Sequence, residues 1–175
     1  MKSSLRTWLG LDRATSPEPH EALRALLDAL DRLEPARARY LAQFAYLLGR
    51  VAHADQHVSA SETGMMEGLV AQEGGLDPDQ AMLVVGLAKT ANHLFGGTDN
   101  FIVAREYAET ASYEQKLALM RCLFALSTAE GHISIDEERE IQRIGRELRI
   151  DSPDMLKLRL DHRQHLPGLT GREGE

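Results

Sequence analysis

The sequence predicts an all-α protein, a pseudo-duplicated helical bundle of seven to eight helices. Three observations support this fold class. The chain has 26 Leu and 21 Ala against six Val and six Ile, a bias towards residues that lose little rotamer freedom in helices. Its apolar residues recur at intervals of three and four, and no segment alternates for long enough to make a convincing strand. The chain also repeats itself at an offset of 75 residues, which indicates a duplicated unit.

Start and stop signals delimit each predicted helix. Ser59, Ser112 and Ser134 each open a Ser-x-x-Glu or Ser-x-x-Gln sequence, the form of a capping box, and Asp77 precedes a proline that suits the first helical position. The first predicted helix follows Pro19 and stops before Pro35. The next five are predicted over about 36–53, 59–74, 78–91, 98–110 and 112–129. The seventh begins at residue 134, and a short last helix begins at residue 152.

The fourth predicted helix is apolar on all sides. Its segment from Met82 to Ala88 reads Met-Leu-Val-Val-Gly-Leu-Ala. A helix without a polar face is normally buried in the core. We therefore expect this helix to lie at the centre of the molecule.

Composition limits the class of protein. A chain of 175 residues, 43% of them hydrophobic and 27% charged, is typical of one globular domain with or without tails. No apolar stretch approaches the roughly 18 residues of a membrane-spanning helix, and the single Cys122 forms no internal disulfide. The formal net charge of −7 argues against nucleic acid as a partner, because phosphate-binding surfaces need clustered Lys and Arg.

The domain organisation follows from the two chain ends. Residues 20–165 are predicted to form a single helical domain, and residues 166–175 a flexible tail, because helix breakers replace the periodic pattern there. Residues 1–19 place Trp8 among leucines and cations but lack the features of a secretory signal. One interpretation of this segment is a short amphipathic stretch that binds a membrane or a partner. The other is a chain terminus that is disordered or docked on the core.

The repeat superposes two complete loops with their flanking helices. An offset of 75 aligns residues 51–62 with residues 126–137, and it also aligns Leu48 with Leu123 and Met66 with Ile141. Each unit reads as a helix, a loop of the pattern Ala-acid-x-His-apolar-Ser, and a second helix. We call the two loops, residues 54–59 and 129–134, the acidic elbows. Two such hairpins are predicted to pack around the fourth helix.

The repeated pattern Ala-Asp/Glu-x-x-Val/Ile-x-x-x-Glu resembles the TerB family of tellurite-resistance proteins and its TerB-like relatives. It occurs here with Asp55 and Glu62 in the first unit and with Glu130 and Glu137 in the second, and the similarity covers roughly residues 36–160. The resemblance implies an all-helical, pseudo-duplicated fold of about seven helices, a cytoplasmic setting in bacteria, and a link to stress response or tellurite resistance. It also implies an acidic loop surface for a divalent metal. The family often has Asp-Gly in the loop, whereas this chain has Asp-Gln first and Glu-Gly second.

The four repeated acids are the candidate metal ligands. If pseudo-twofold packing brings them together, Asp55, Glu62, Glu130 and Glu137 can offer a hard cation such as Ca²⁺ or Mg²⁺ the oxygen ligands that it prefers. Glu62 and Glu137 have an alternative role as the third residues of capping boxes. Asp55 and Glu130 lie near predicted helix C-termini, where the helix dipole disfavours negative charge, so capping does not explain them.

Other site chemistries find less support in the sequence. Neither elbow has the ligand pattern of an EF-hand. His53 and His57 are four residues apart, as zinc ligands on a helix can be, but no paired cysteine supports them, and His162 and His165 have no carboxylate cluster beside them. The chain contains no G-x-S-x-G, P-loop, G-x-G-x-x-G or H-E-x-x-H sequence. Cys122 is interpreted as a core residue rather than a nucleophile.

The interpretation that follows is a cytoplasmic, non-enzymatic binding module that binds either a partner protein of a stress-response complex or, at the acidic elbows, a divalent cation that tunes such binding. Two alternatives remain open at this point. One is a metal-dependent enzyme, a hydrolase that uses the acidic cluster. The other is a peripheral membrane adaptor that uses the segment around Trp8.

Overall fold

A computed structural model describes residues 21–51, 60–91, 100–129 and 131–167. Over these ranges the secondary structure is helical, and no strand is present, which confirms the predicted fold class. The predicted helix limits are confirmed to within about two residues wherever they fall on described residues. The helices are α1 (Glu21–Asp31), α2 (Pro35–Val51), α3 (Ala60–Gly74), α4 (Pro78–Ala91), α5 (Asn100–Thr110), α6 (Tyr113–Thr128), α7 (Ile135–Glu147) and α8 (Ser152–Asp161), followed by a short 3₁₀ turn (Arg163–His165).

Local hydrogen bonds explain where several helices begin. The backbone N–H of Gln80 donates to Oδ1 of Asp77 over 2.9 Å, so Asp77 caps α4 as predicted. A complete capping box opens α6, with Ser112 and Gln115 bonded to each other's backbone N–H groups. Glu34 caps α2 through its carboxylate. Each cap satisfies backbone donors that have no partner within the helix.

Helices α3 and α7 end in the same way. Gly75 and Arg149 both adopt left-handed backbone conformations, with φ angles of 61° and 58°. The next residue in each case donates its N–H back into the helix, from Leu76 to the carbonyl of Ala71 and from Ile150 to that of Gly145. This is the hydrogen bond of a Schellman ending. The second unit therefore reproduces the backbone turn of the first, although an arginine replaces the glycine.

The two units of the repeat interlock. Helix α3, the second helix of the first unit, packs on α6, the first helix of the second unit. In the reverse sense, α7 of the second unit packs on α2 of the first, and α2 also contacts α6. Each unit adds a third helix against its own first helix, α4 on α2 and α8 on α6. The predicted duplication is thus visible in how the helices pack.

The most central helix is α2 rather than the predicted fourth helix. Every residue from Leu41 to Val51 is buried, and α2 contacts α1, α4, α5, α6 and α7. Helix α4 is largely buried as predicted, but its main contacts are with α1, α2 and α3, and Met82 on it is exposed. The expectation that both units close around α4 is wrong, because α4 is the third helix of one unit and packs mainly with that unit.

The buried side chains form one cluster that extends from Leu23 to Leu166. Leu166, the first residue of the predicted tail, is only 3% exposed and packs into the core, while residues 168–175 lie outside the described residues. The sequence places Leu166 in the tail because Pro167 and Gly168 end the helical pattern, but this apolar side chain still reaches the core. The predicted N-terminal segment 1–19 lies outside the described residues. Among the described helices, none is long and apolar enough to cross a bilayer.

Candidate functional site

The second acidic elbow leads directly into a capped helix. Ser134 accepts a hydrogen bond from the backbone N–H of Glu137 over 3.2 Å, and Oε2 of Glu137 accepts one from the N–H of Ser134 over 2.8 Å. The predicted capping box is therefore confirmed at α7. Gly131 has a φ of 100°, a conformation that favours glycine. The positive φ of Gly131 lets the chain turn from α6 into α7.

The chain after α8 holds the same elbow in place. The backbone N–H of Ile133 donates to the carbonyl of His165 over 2.7 Å, and Nδ1 of His165 lies 2.8 Å from the carbonyl oxygen of Gly131. Ile133 is buried, and His162 stacks on Phe124 with a ring-centroid distance of 5.3 Å. We call residues 162–166 the C-terminal strap. No role for His162 and His165 follows from the sequence, and only the structure connects them to the elbow.

The first elbow falls on residues that the structure does not describe, but the helix after it is described. Glu62 lies exposed in the first turn of α3. One residue later, Thr63 accepts a hydrogen bond from Nζ of Lys89 near the end of α4, over 2.8 Å. In the second unit Glu138, 75 residues after Thr63, accepts a hydrogen bond from Nε of Arg159 on α8, over 2.9 Å. Each helix that follows an elbow is thus tied to the third helix of its own unit.

The four predicted metal ligands have different outcomes. Asp55 and Glu130 lie outside the described residues. Glu137 is engaged in its capping box through Oε2, and Glu62 is exposed. Within the described ranges, no group of three or more His, Cys, Asp or Glu side chains has the arrangement to hold a metal ion. The described residues alone therefore contain no assembled metal centre, and the metal hypothesis depends on Asp55 and Glu130.

A buried arginine joins the helix before the first elbow to the helix after the second. Arg50 lies in the last turn of α2 with a side chain that is 5% exposed. Its Nη2 lies 2.6 Å from Oε1 of Glu140, and its Nη1 lies 2.6 Å from Oε2 of Glu147, both on α7. Burial lowers the pKa of Arg50, but hydrogen bonds to Glu147 and Glu140 more than offset this, so the net pKa is raised. We call this cluster the Arg50 clamp.

The single cysteine lies in the core, as the sequence indicates. Cys122 on α6 is fully buried, and burial raises the pKa of its thiol to about 12. A thiol with so high a pKa is protonated at neutral pH and reacts poorly as a nucleophile. The predicted packing role of Cys122 fits these surroundings.

The histidines considered as zinc ligands also differ in where they lie. His53 and His57, the candidate zinc pair, lie outside the described residues, and His132 is exposed in the second elbow. Nδ1 of His162 lies 3.0 Å from the carbonyl oxygen of Leu158. His162 and His165 therefore both contact backbone carbonyls, which is a structural role.

A match to a protein-family model identifies the family of this chain. A family model described as tellurite resistance protein TerB matches residues 41–160, nearly the same range as the sequence resemblance. A search of curated proteins and a search of solved structures found no match. The matched range covers more than half of the chain, runs from within α2 to the penultimate residue of α8, and includes both elbows and the clamp. The chain belongs to the TerB family.

Proposed function

We propose that this protein is a non-enzymatic binding module whose two acidic elbows hold a divalent cation, Ca²⁺ or Mg²⁺, and present it to a partner protein. The cytoplasmic setting and the link to stress response or tellurite resistance that the resemblance implies are part of this proposal. The observation that supports it best is the Arg50 clamp. It fixes the last turn of α2, the helix before the first elbow, to α7, the helix after the second elbow, through contacts of 2.6 Å.

Asp55 and Glu130 both follow the C-terminus of a helix, and this position favours cation binding. Asp55 follows the C-terminus of α2 at Val51, and Glu130 follows that of α6 at Thr128. The last carbonyls of a helix carry partial negative charge and have no partner within the helix. A carboxylate beside them is repelled, whereas a bound cation attracts both the carboxylate and the carbonyls. Hard cations take such oxygen ligands, about six to eight for Ca²⁺.

The remaining acids can complete the ligand set. Glu137 uses Oε2 for its cap, while its Oε1 can still accept a metal ion. Glu62 lies exposed at the equivalent first turn of α3. The backbone of the second elbow is already fixed by the C-terminal strap, and less ordering on binding favours affinity.

The test is isothermal titration calorimetry of Ca²⁺, Mg²⁺, Mn²⁺ and Zn²⁺ into the intact protein. We expect saturable binding of Ca²⁺ or Mg²⁺ that is lost in the double variant Asp55→Asn/Glu130→Gln. The matched control is Asp31→Asn/Glu114→Gln, which removes the same charge from exposed positions outside the elbows and should bind as the wild type does. Flat heats for all proteins, or equal loss in both double variants, would overturn the proposal.

An enzymatic role predicts a different result for the same variants. If the protein is a binding module, the purified protein supplied with Mg²⁺ or Mn²⁺ should hydrolyse neither a phosphate ester nor a nucleic acid. Cation-dependent hydrolysis that disappears in Asp55→Asn would replace the binding module with the hydrolase alternative.

A further inference from the structure

Three of the five acids of α7 turn inward, whereas its arginines turn outward. Three acids turn towards arginines of other helices: Glu138 contacts Arg159 on α8, while Glu140 and Glu147 contact Arg50 on α2. Their side chains are 16%, 26% and 14% exposed. The charge of these three acids is therefore neutralised mainly inside the molecule, whereas Asp136 is 95% exposed and Glu137 caps its own helix.

The arginines of the same helix face outward. Arg139, Arg143 and Arg146 recur at intervals of four and three, so they lie one above the other on a single face, and Arg149 follows in the turn. The side chains of Arg139 and Arg143 are 78% and 60% exposed, and Arg146 and Arg149 are also exposed. We call these four residues the arginine stripe.

Two members of the stripe have acidic neighbours, but these pairs are weak. Arg139 lies 3.6 Å from Asp136, which is 95% exposed, and pairs of this kind contribute little in water. Arg143 lies 3.2 Å from Glu147 and balances the one negative charge by which Glu140 and Glu147 exceed the charge of Arg50, so Arg146 and Arg149 carry the positive charge that remains. The stripe therefore keeps a net positive charge although the chain as a whole is negative.

The stripe is not required by the repeated fold. In the first unit the positions equivalent to Arg139, Arg143 and Arg146 are occupied by small uncharged residues: Gly64, Gly68 and Ala71. Helix α3 forms without any of these cations. The arginines are thus a feature of the second unit only, and the duplicated scaffold does not explain them.

We infer that the arginine stripe is a docking site for an acidic segment of a partner protein. Arg139 and Arg146 are separated by about 10 Å along the helix, and neighbouring members lie about 5–6 Å apart. Alternate residues of an extended peptide are about 6.5 Å apart, so a peptide with alternating acids can place one carboxylate at each guanidinium. Guanidinium groups bind carboxylates through two parallel hydrogen bonds.

The size and surroundings of the stripe favour this occupant over a larger polyanion. Nucleic acid and anionic membranes present charge over distances much longer than the stripe. A chain with a net charge of −7 is repelled from such surfaces as a whole. A short acidic segment experiences mainly the local charges, because charges more than about 8 Å away are screened at physiological ionic strength. This inference does not depend on a cation at the acidic elbows.

The test is fluorescence anisotropy with a labelled peptide of eight glutamates and the intact protein at low salt. We expect saturable binding that weakens as NaCl is raised, because the contacts are exposed charge pairs. The variant Arg139→Gln/Arg143→Gln/Arg146→Gln should lower affinity by about tenfold or more. The matched control Arg32→Gln/Arg39→Gln/Arg105→Gln removes three exposed arginines outside the stripe, one just after α1 and two on other helices, and should change affinity less than about twofold. Circular dichroism checks that both variants keep their helices.

Several outcomes would overturn the inference. These are no binding of the peptide, equal weakening in both triple variants, or tighter binding of a single-stranded oligonucleotide or of phosphatidylserine vesicles than of the peptide. Self-association that the stripe variant abolishes, seen by analytical ultracentrifugation, would assign the surface to a second copy of the chain instead. Calorimetry with Ca²⁺ and Mg²⁺ on the stripe variant separates this result from the proposed function, because cation binding should be unchanged.

Discussion

The guanidinium of Arg50 lies 2.6 Å from the carboxylate of Glu140, although 90 residues separate them in the chain. This contact joins the central helix α2 to α7 and therefore joins the first unit of the repeat to the second. Arg50 also donates to Glu147, so two carboxylates share one buried cation. The two carboxylates neutralise the charge of Arg50, which would otherwise be costly to bury.

Loss of the cation should destabilise the protein strongly. The substitution Arg50→Met leaves Glu140 and Glu147 without their buried partner, and breaking a buried pair in this way costs about 3–5 kcal/mol. Arg105→Met is the control, because Arg105 pairs with Glu109 on an exposed surface and should cost less than about 1 kcal/mol. Urea unfolding at pH 7 measures both free energies. Equal losses for the two variants would show that the Arg50 clamp is not a special contact.

The left-handed residue that ends α7 offers a stabilising substitution. Arg149 has a φ of 58°, a conformation that is unfavourable for residues with a side chain by roughly 1 kcal/mol. Arg149→Gly should therefore raise the free energy of unfolding by about 0.5–1 kcal/mol. At the equivalent turn Gly75→Ala should lower it by a similar amount, because Gly75 has a φ of 61°. Thermal unfolding followed by circular dichroism measures these changes, and a lower melting temperature for Arg149→Gly would contradict the assigned turn.

The C-terminal strap should control the mobility of the second elbow. His165→Ala removes the contact with the carbonyl of Gly131 and should cost about 1 kcal/mol. It should also speed hydrogen exchange at the amide of Ile133, which donates to the backbone of residue 165. His132→Ala is the control, because His132 is exposed in the same elbow. Unchanged exchange at Ile133 in the His165 variant would mean that the strap does not hold the loop.

The buried thiol and phenol make the protein sensitive to alkali. Burial raises the pKa of Cys122 to about 12 from an ordinary value of about 9, and burial likewise raises the pKa of Tyr107. The folded state therefore keeps protons that the unfolded state releases, and the free energy of unfolding should fall as pH rises from about 9 towards 12. Urea titrations at pH 8, 9, 10 and 11 measure the slope, and Cys122→Ala should make it shallower. A stability that is constant or rises over this range would contradict the assigned burial.

Features set by neighbouring residues could be predicted from the sequence, whereas features set by distant residues could not. The box of Ser134 and Glu137 was predictable because its two hydrogen bonds join residues three apart. The partners of Arg50 were not, because a lone arginine at a helix end does not reveal which acid it will meet. The strap was missed for the same reason: His165 acts on Gly131, which is 34 residues away.

Packing was predictable only in part. Apolar periodicity placed α4 in the core, and most of its residues are buried, but periodicity could not tell that α2 contacts more of the other helices. The conformation of Arg149 was also missed, because glycine is the usual signal for a left-handed ending. Of the candidate site, the sequence proposed the acids, and the structure added the Arg50 clamp between α2 and α7 and the strap that holds the second elbow.

A two-dimensional ¹H–¹⁵N nuclear magnetic resonance titration with Ca²⁺ and Mg²⁺ tests the central claim most directly. The account predicts that backbone amides around Asp55 and around Glu130 shift over the same range of cation concentration, while those of α1 and α5 stay in place. Shifts confined to surfaces away from residues 54–59 and 129–134, or none at millimolar cation, would contradict it.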